Sequence, residues 1–191
     1  MPSGVVHDRI TICLLPWVAG ITYGTTQSAE LTLSLSSGYL FSGMMFGPDL
    51  DIYSLQYKRW GAIRGIWLPY RKFFHHRSVF SHGLILGTCV RLIYLLTVIF
   101  LLSIFWVAIA QLCFGFTWNW QDFVREQLHL LFDQYPRETT ALLIGLEIGA
   151  MSHSLSDWIN SHRKQRLKNR ASKVKGKPKK LRPARIYQRK K

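Results

Sequence analysis

Nine side chains able to bind a divalent cation or move a proton fall in four short stretches of the chain. His7 and Asp8 stand near the start, and Asp49 and Asp51 lie in "GPDLD". His75, His76 and His82 occupy "HHRSVFSHG", and His153 and Asp157 belong to "SHSLSD". Imidazole nitrogen mixed with carboxylate oxygen suits a borderline divalent ion such as zinc, manganese or iron, rather than calcium or a soft thiolate-bound metal. More than four donors leave room for two ions. A cation held this way makes water acidic and polarises a phosphoryl or acyl oxygen, which is hydrolytic chemistry.

Spacing sets local requirements. His153 and Asp157 are four apart, so on a helix they share one face. Both can then meet one ion, or the carboxylate can orient the imidazole. Asp49 and Asp51 are two apart, which diverges on a helix but converges in extended chain. Pro48 biases Gly47 away from helix, favouring an unwound segment there. His76 and His82 are six apart and need a turn through Ser78 to Ser81, whereas His75 and His82 share a face if a helix runs straight through. The reading adopted is His76 with the turn, His75 being the alternative. The expected metal ligands are therefore His7, Asp49, His76, His82 and His153. Asp51 and Asp157 are expected to be ligands, orienting groups or the general base. Arg77 is suited to gripping a phosphate or other anion. His129 and His162 are expected to face solvent, away from the cluster.

The elements that must bring these groups together are apolar. Four segments stand out, at 10–24, 31–47, 92–116 and 140–159. About 20 apolar residues cross a bilayer. The third segment meets that length comfortably and is apolar on all faces, unlike an ordinary core helix. The first two are short, and the fourth contains Glu147, which within a span is either functional or bonded to a neighbouring helix. Ser36, Ser37, Gly38, Ser42 and Gly43 suit close helix packing in lipid. The expected fold is all-α, a polytopic membrane bundle of about four transmembrane helices over residues 1–160, with a basic, disordered tail over 161–191. The competing architecture is a soluble helical bundle with one buried hairpin.

Charge placement tests the four-span arrangement independently. It puts 23 of the 25 Lys and Arg on one side of the membrane, leaving Arg125 and Arg137 on the other. The positive-inside rule then places both termini in the cytoplasm of a multi-pass inner-membrane protein. It also gathers all four donor stretches at the cytoplasmic helix ends, although the spans were chosen from apolar residues alone. Trp60, Trp67, Trp118, Trp120 and Trp158 fall near the proposed boundaries, as interfacial aromatics do. The tail from residue 161 holds 15 Lys or Arg and no acid, so it is expected to contact anionic lipid, with RNA the alternative. "MPSGVVHDR" lacks the basic start of a signal peptide. Cys13, Cys89 and Cys113 are dispersed through apolar runs, which argues against disulfides or a thiolate metal site.

Taken in order, His7, "PDLD", "HRSVFSH" and "SHSLSD" resemble a family of uncharacterised bacterial membrane proteins described as metal-binding. More distantly they are similar to SOS-regulated inner-membrane proteins described as metal-dependent hydrolases. Those relatives show an early His, a "PDID"-type motif, an "HRGxTHS" motif and a late "SHxxxD". The resemblance covers residues 1 to about 160 and implies His76 rather than His75, because the family's His precedes Arg. Here the third motif's histidines are six apart rather than five, and Ser78 replaces its Gly. The implied function is a membrane-embedded metal-dependent hydrolase acting on a phosphoester or lipid. The alternative is a metal-binding or metal-sensing membrane protein without turnover.

Overall fold

A computed structural model describes residues 4–74 and 78–174, and every regular element among them is helical. In chain order these are α1 (Gly4–Thr26), α2 (Ala29–Met44), a 3-10 turn (Pro48–Asp51), α3 (Leu55–Arg59) and a second 3-10 turn (Gly61–Trp67). Then follow α4 (Leu68–Phe73), α5 (Val79–His82), α6 (Leu86–Phe114), α7 (Trp120–His129), a π turn (Leu130–Gln134) and α8 (Pro136–Val174).

Each apolar segment becomes one long helix. Ser28 caps α2 by accepting from the Leu31 amide, satisfying one of the amides a helix start leaves free. Pro16 lies inside α1, where it removes one backbone hydrogen bond. Two helices, α1 and α6, are long and apolar enough to cross a membrane. The four-span expectation thus stands at two by that measure: α2 has 16 residues, and α8 combines Glu138 and Glu147 with a basic second half. On α6 only Gly87, Thr88 and Arg91 are buried. Beyond them Ile93, Leu101, Phe105, Trp106 and Leu112 are exposed, Leu112 at 88%. An apolar surface of that extent marks a face that something must cover.

Helices α2 and α8 pack backbone against backbone. A Cβ added at Gly145 would overlap the Leu35 carbonyl oxygen, and one at Gly149 would sit 2.5 Å from the Tyr39 carbonyl oxygen. Only the absence of a side chain permits that approach, as in other small-residue helix contacts. Thr11 of α1 instead brings its side chain onto Gly43 of α2, with Cγ2 2.5 Å from where a Cβ would stand.

Residues 46–74 are more than a connecting loop. Phe46, Leu50, Tyr57, Trp67 and Tyr70 form a buried cluster with Leu146 of α8. Trp67 touches Phe46, Trp60 and Tyr70 edge-on, with ring centroids 5.8, 5.2 and 5.6 Å apart. Each such side chain contributes about 1.5–3 kcal/mol by burial. Trp67, expected at a membrane boundary, is instead fully buried. Trp60 packs on this core and donates its indole N–H to the Met45 carbonyl oxygen. Burial raises the Tyr70 phenol to about 12, so it is neutral at physiological pH. The chain is tied back to α1 by a two-pronged ion pair of Arg59 with Asp8, Arg59 also donating to the Met44 carbonyl oxygen at 2.8 Å.

Helix α8 continues unbroken to Val174. Residues 161–174, expected to begin an unstructured tail, are therefore helical, and 175–191 lie outside the described residues.

Candidate metal centre

The expected donors meet where α1 starts, where α2 ends, before α6, and on the face of α8. His7 lies in the first turns of α1 and is 4% exposed; His153 on α8 is 3% exposed. Their rings stack at a centroid distance of 3.8 Å, inclined by 17°. His7 Nε2 lies 3.3 Å from Asp157 Oδ1, and His153 Nε2 lies 3.2 Å from Asp49 Oδ2. Asp49 Oδ1 faces His82 Nε2 at 3.9 Å, and Asp51 Oδ2 faces His82 Nδ1 at 3.8 Å. Gly47 is extended, as Pro48 foreshadows, but Asp49 and Asp51 lie in a 3-10 turn rather than the extended chain expected, and both still face the His82 ring.

Hydrogen bonds orient the imidazoles. Ser156 donates its hydroxyl to the His153 carbonyl oxygen at 2.8 Å. Its oxygen also lies 2.7 Å from His7 Nδ1, and accepts from it when that nitrogen carries the proton. In that tautomer the Nε2 lone pair is aimed at the Asp157 carboxylate oxygen. Two electron-rich atoms held 3.3 Å apart in a buried site call for a cation between or beside them. Asp157 Oδ1 and His153 Nε2 are both buried without a hydrogen bond, as atoms kept for a metal are. The donor set therefore fits a borderline divalent ion. Gln56 approaches His153 Nδ1 at 3.5 Å and donates to the Gly43 carbonyl oxygen at 3.0 Å.

The stretch carrying His82 is anchored twice. Arg91, fully buried on α6, donates to the Ser81 carbonyl oxygen at 2.7 Å and to Thr88 Oγ1 at 3.0 Å. Ser81 Oγ in turn contacts His82 Nδ1 at 2.8 Å. Glu147 accepts from the Ile85 amide at 2.8 Å. Ile85 has φ +62°, a conformation costly for a β-branched residue. Among the two roles open to Glu147, the bond to a neighbouring segment is the observed one. The break at Ile85 separates α5 from α6, so no straight helix continues from His82 into the third apolar segment.

The structure thus brings together His7, Asp49, Asp51, His82, His153 and Asp157. His75, His76 and Arg77 lie outside the described residues. Asp8 is engaged by Arg59 instead. His129, the last residue of α7, pairs with Asp133 of the π turn at 2.9 Å and joins none of these donors. His162 is exposed, as expected, but not away from the cluster. Its ring lies 4.4 Å from that of Trp158, inclined by 56°, and lines, with His82, Asp157, Ser154 and Gln165, a cavity of about 300 Å³. Sequence reasoning had missed it, along with Gln56 and Ser156. The spacing of Ser156 and His162 on the helix of His153 and Asp157 was a signal for two of them; Gln56 offered none.

Residues 2–167 match the model of a family described as "Uncharacterized metal-binding protein (DUF2227)". The chain is also similar to an uncharacterized protein of Aquifex aeolicus (strain VF5), at 39% identity over 59 residues. That match covers 30% of this chain and 41% of the relative, so it spans less than half the relative's length. No solved structure matches.

Proposed function

Because the chain belongs to this family of uncharacterized metal-binding proteins, we propose that its His/Asp rim is the active centre of a membrane-embedded metal-dependent hydrolase, acting on a phosphoester or lipid at the cytoplasmic face. The observation that carries the reading is convergence: donors from four separate stretches of sequence lie within a few ångströms of one another, where α1 starts, α2 ends and α6 is approached, against the middle of α8. A bound divalent cation, whether zinc, manganese or iron, would supply Lewis acidity toward a phosphoryl or acyl oxygen and a lowered pKa for water. His7, Asp49, His82 and His153, with His76 from the adjoining stretch, hold the ion. Asp157, whose Oδ1 faces His7 Nε2, is a further ligand. Asp51, buried beside His82, is the group to take a proton from the attacking water. Arg77 grips the anionic group of the substrate. In this reading all four long helices cross the bilayer, the exposed apolar side chains of α6 meet lipid, and both termini are cytoplasmic.

The test is Asp51→Asn. The variant should bind metal as wild type does while hydrolysis of a phosphoester panel falls by about 100-fold, within the range general-base catalysis supplies. Equal turnover in wild type and variant removes Asp51 from this role, and no turnover by metal-loaded wild type removes the hydrolase. The second reading is a metal-binding or sensing protein without turnover, favoured by the near-complete burial of His7 and His153.

The 15 basic residues between 161 and 191 serve as a contact for anionic lipid, at about 1 kcal/mol per residue near the surface. Full-length protein should bind vesicles containing phosphatidylserine more tightly than neutral vesicles, an advantage that truncation after residue 160 abolishes and high salt erodes. Equal binding to both vesicle types, alongside salt-sensitive retention of RNA, assigns the stretch to nucleic acid instead.

A further inference from the structure

We infer that the rim holds two cations of unequal burial, joined by the carboxylates of Asp157 and Asp49. The inference rests on the metal-binding half of the proposed function and is independent of turnover.

The donors fall into two groups. His7, His153 and Asp157 offer atoms within 4.8 Å of one another, and all three residues are buried. Asp49, His82 and Asp157 meet the same limit, with Asp49 and His82 partly exposed. Asp157 belongs to both groups, while the imidazoles do not mix: His82 stands apart from the stacked pair of His7 and His153. An imidazole nitrogen carries one lone pair and serves one ion, whereas a carboxylate has two oxygens and can serve two. Asp49 repeats the pattern, with Oδ2 at 3.2 Å from His153 and Oδ1 at 3.9 Å from His82. Two carboxylates therefore lie between histidines that point at different places, the arrangement of bridging ligands in a pair of ions about 3.5–4 Å apart.

The two positions differ in access. The inner one is walled by α1 and α8, and its His7 is met by Ser156. The outer one borders the cavity formed by His82, Ser154, Asp157, Trp158 and His162. Water and substrate reach the outer ion first. The inner ion then has the structural character of a closed site, and the outer ion that of a site with an open position.

The experiment is elemental analysis of full-length protein reconstituted with manganese, read beside its electron paramagnetic resonance spectrum. Wild type should carry about two equivalents with an exchange-coupled spectrum. His82→Gln should retain about one equivalent and show an uncoupled, single-ion spectrum. Asp157→Asn, which keeps the shape of the side chain, should lose the coupling and at least one equivalent. Brief chelation of wild type should remove half the metal and convert its spectrum to that of His82→Gln. One equivalent in wild type with a single-ion spectrum overturns the inference and leaves the metal-binding reading intact. Loss of all metal from His82→Gln, with circular dichroism unchanged, overturns it as well. Two coupled ions without any turnover would instead uphold this inference and remove the hydrolase.

Discussion

A His153→Ala variant emerges from purification depleted of the inner divalent cation, while wild type prepared alongside retains it. His153 is held on both sides, stacked on His7 and facing Asp49 at 3.2 Å. Truncation therefore removes one donor and loosens a second. Loss of an orienting partner around a metal already weakens binding by about 10–100-fold, and loss of the ligand itself exceeds that. The effect extends to stability. A ligand bound only by the folded chain stabilises it by about 4 kcal/mol when present at a thousand times its dissociation constant. The wild-type melting temperature should therefore fall on chelation, whereas that of His153→Ala should respond much less. The control separates metal loss from a simple core defect, because a cavity at His153 would lower both temperatures and leave the chelator response in place. A variant that keeps its full metal content and its sensitivity to chelator refutes the assignment of His153 as a ligand.

The second large effect concerns packing. Gly145→Val should unfold the helical core at moderate temperature, because its first added carbon overlaps the Leu35 carbonyl oxygen and lies 2.9 Å from Tyr39 N. Side-chain overpacking usually costs about 1–3 kcal/mol. Here the obstacle is backbone, which cannot rotate away, and the cost should reach the top of that range or more. Helix α2 leads directly into Asp49 and α8 carries His153, so the same substitution should strip the metal. Gly20→Ala provides the contrast. No atom lies within 4 Å of a Cβ built there, and replacing a helix-interior glycine should stabilise by about 0.5–1 kcal/mol. Thermal unfolding of both variants beside wild type decides the matter: a Gly145→Val melting temperature within a degree or two of wild type would show that the close approach is not structural.

What could be read from the chain divides along the range of the interactions. Helix positions followed from apolar runs, because hydropathy is local: the segment read at 92–116 is α6 (Leu86–Phe114), and that read at 31–47 is α2. The i, i+4 relation of His153 and Asp157 needed nothing beyond helical geometry. Pro48 foreshadowed the break that turns Asp49 and Asp51 toward His82. The aromatic core of residues 46–74 was not legible, since Trp67 and Tyr70 are buried only through contacts with Phe46, Tyr94 and Leu146. An interfacial tryptophan and a core tryptophan look alike in sequence. Nor could spacing show that Ser156 would meet His7 across 149 positions, or that Glu147 would hold the strained amide of Ile85. Those partners are chosen by tertiary structure alone.

One dimension follows from the unbroken course of α8. At about 1.5 Å of rise per residue, the 17 residues from Asp157 to Val174 measure about 26 Å. With no hinge along that course, the basic side chains of Arg163, Arg166 and Arg170 are carried at fixed heights above the carboxylate. If the proposed anionic lipid receives them, it is held at a set stand-off from the rim. The helix acts as a ruler, so adding or deleting a full turn beyond Asp157 would move the docking plane by about 5.4 Å without touching a single donor atom.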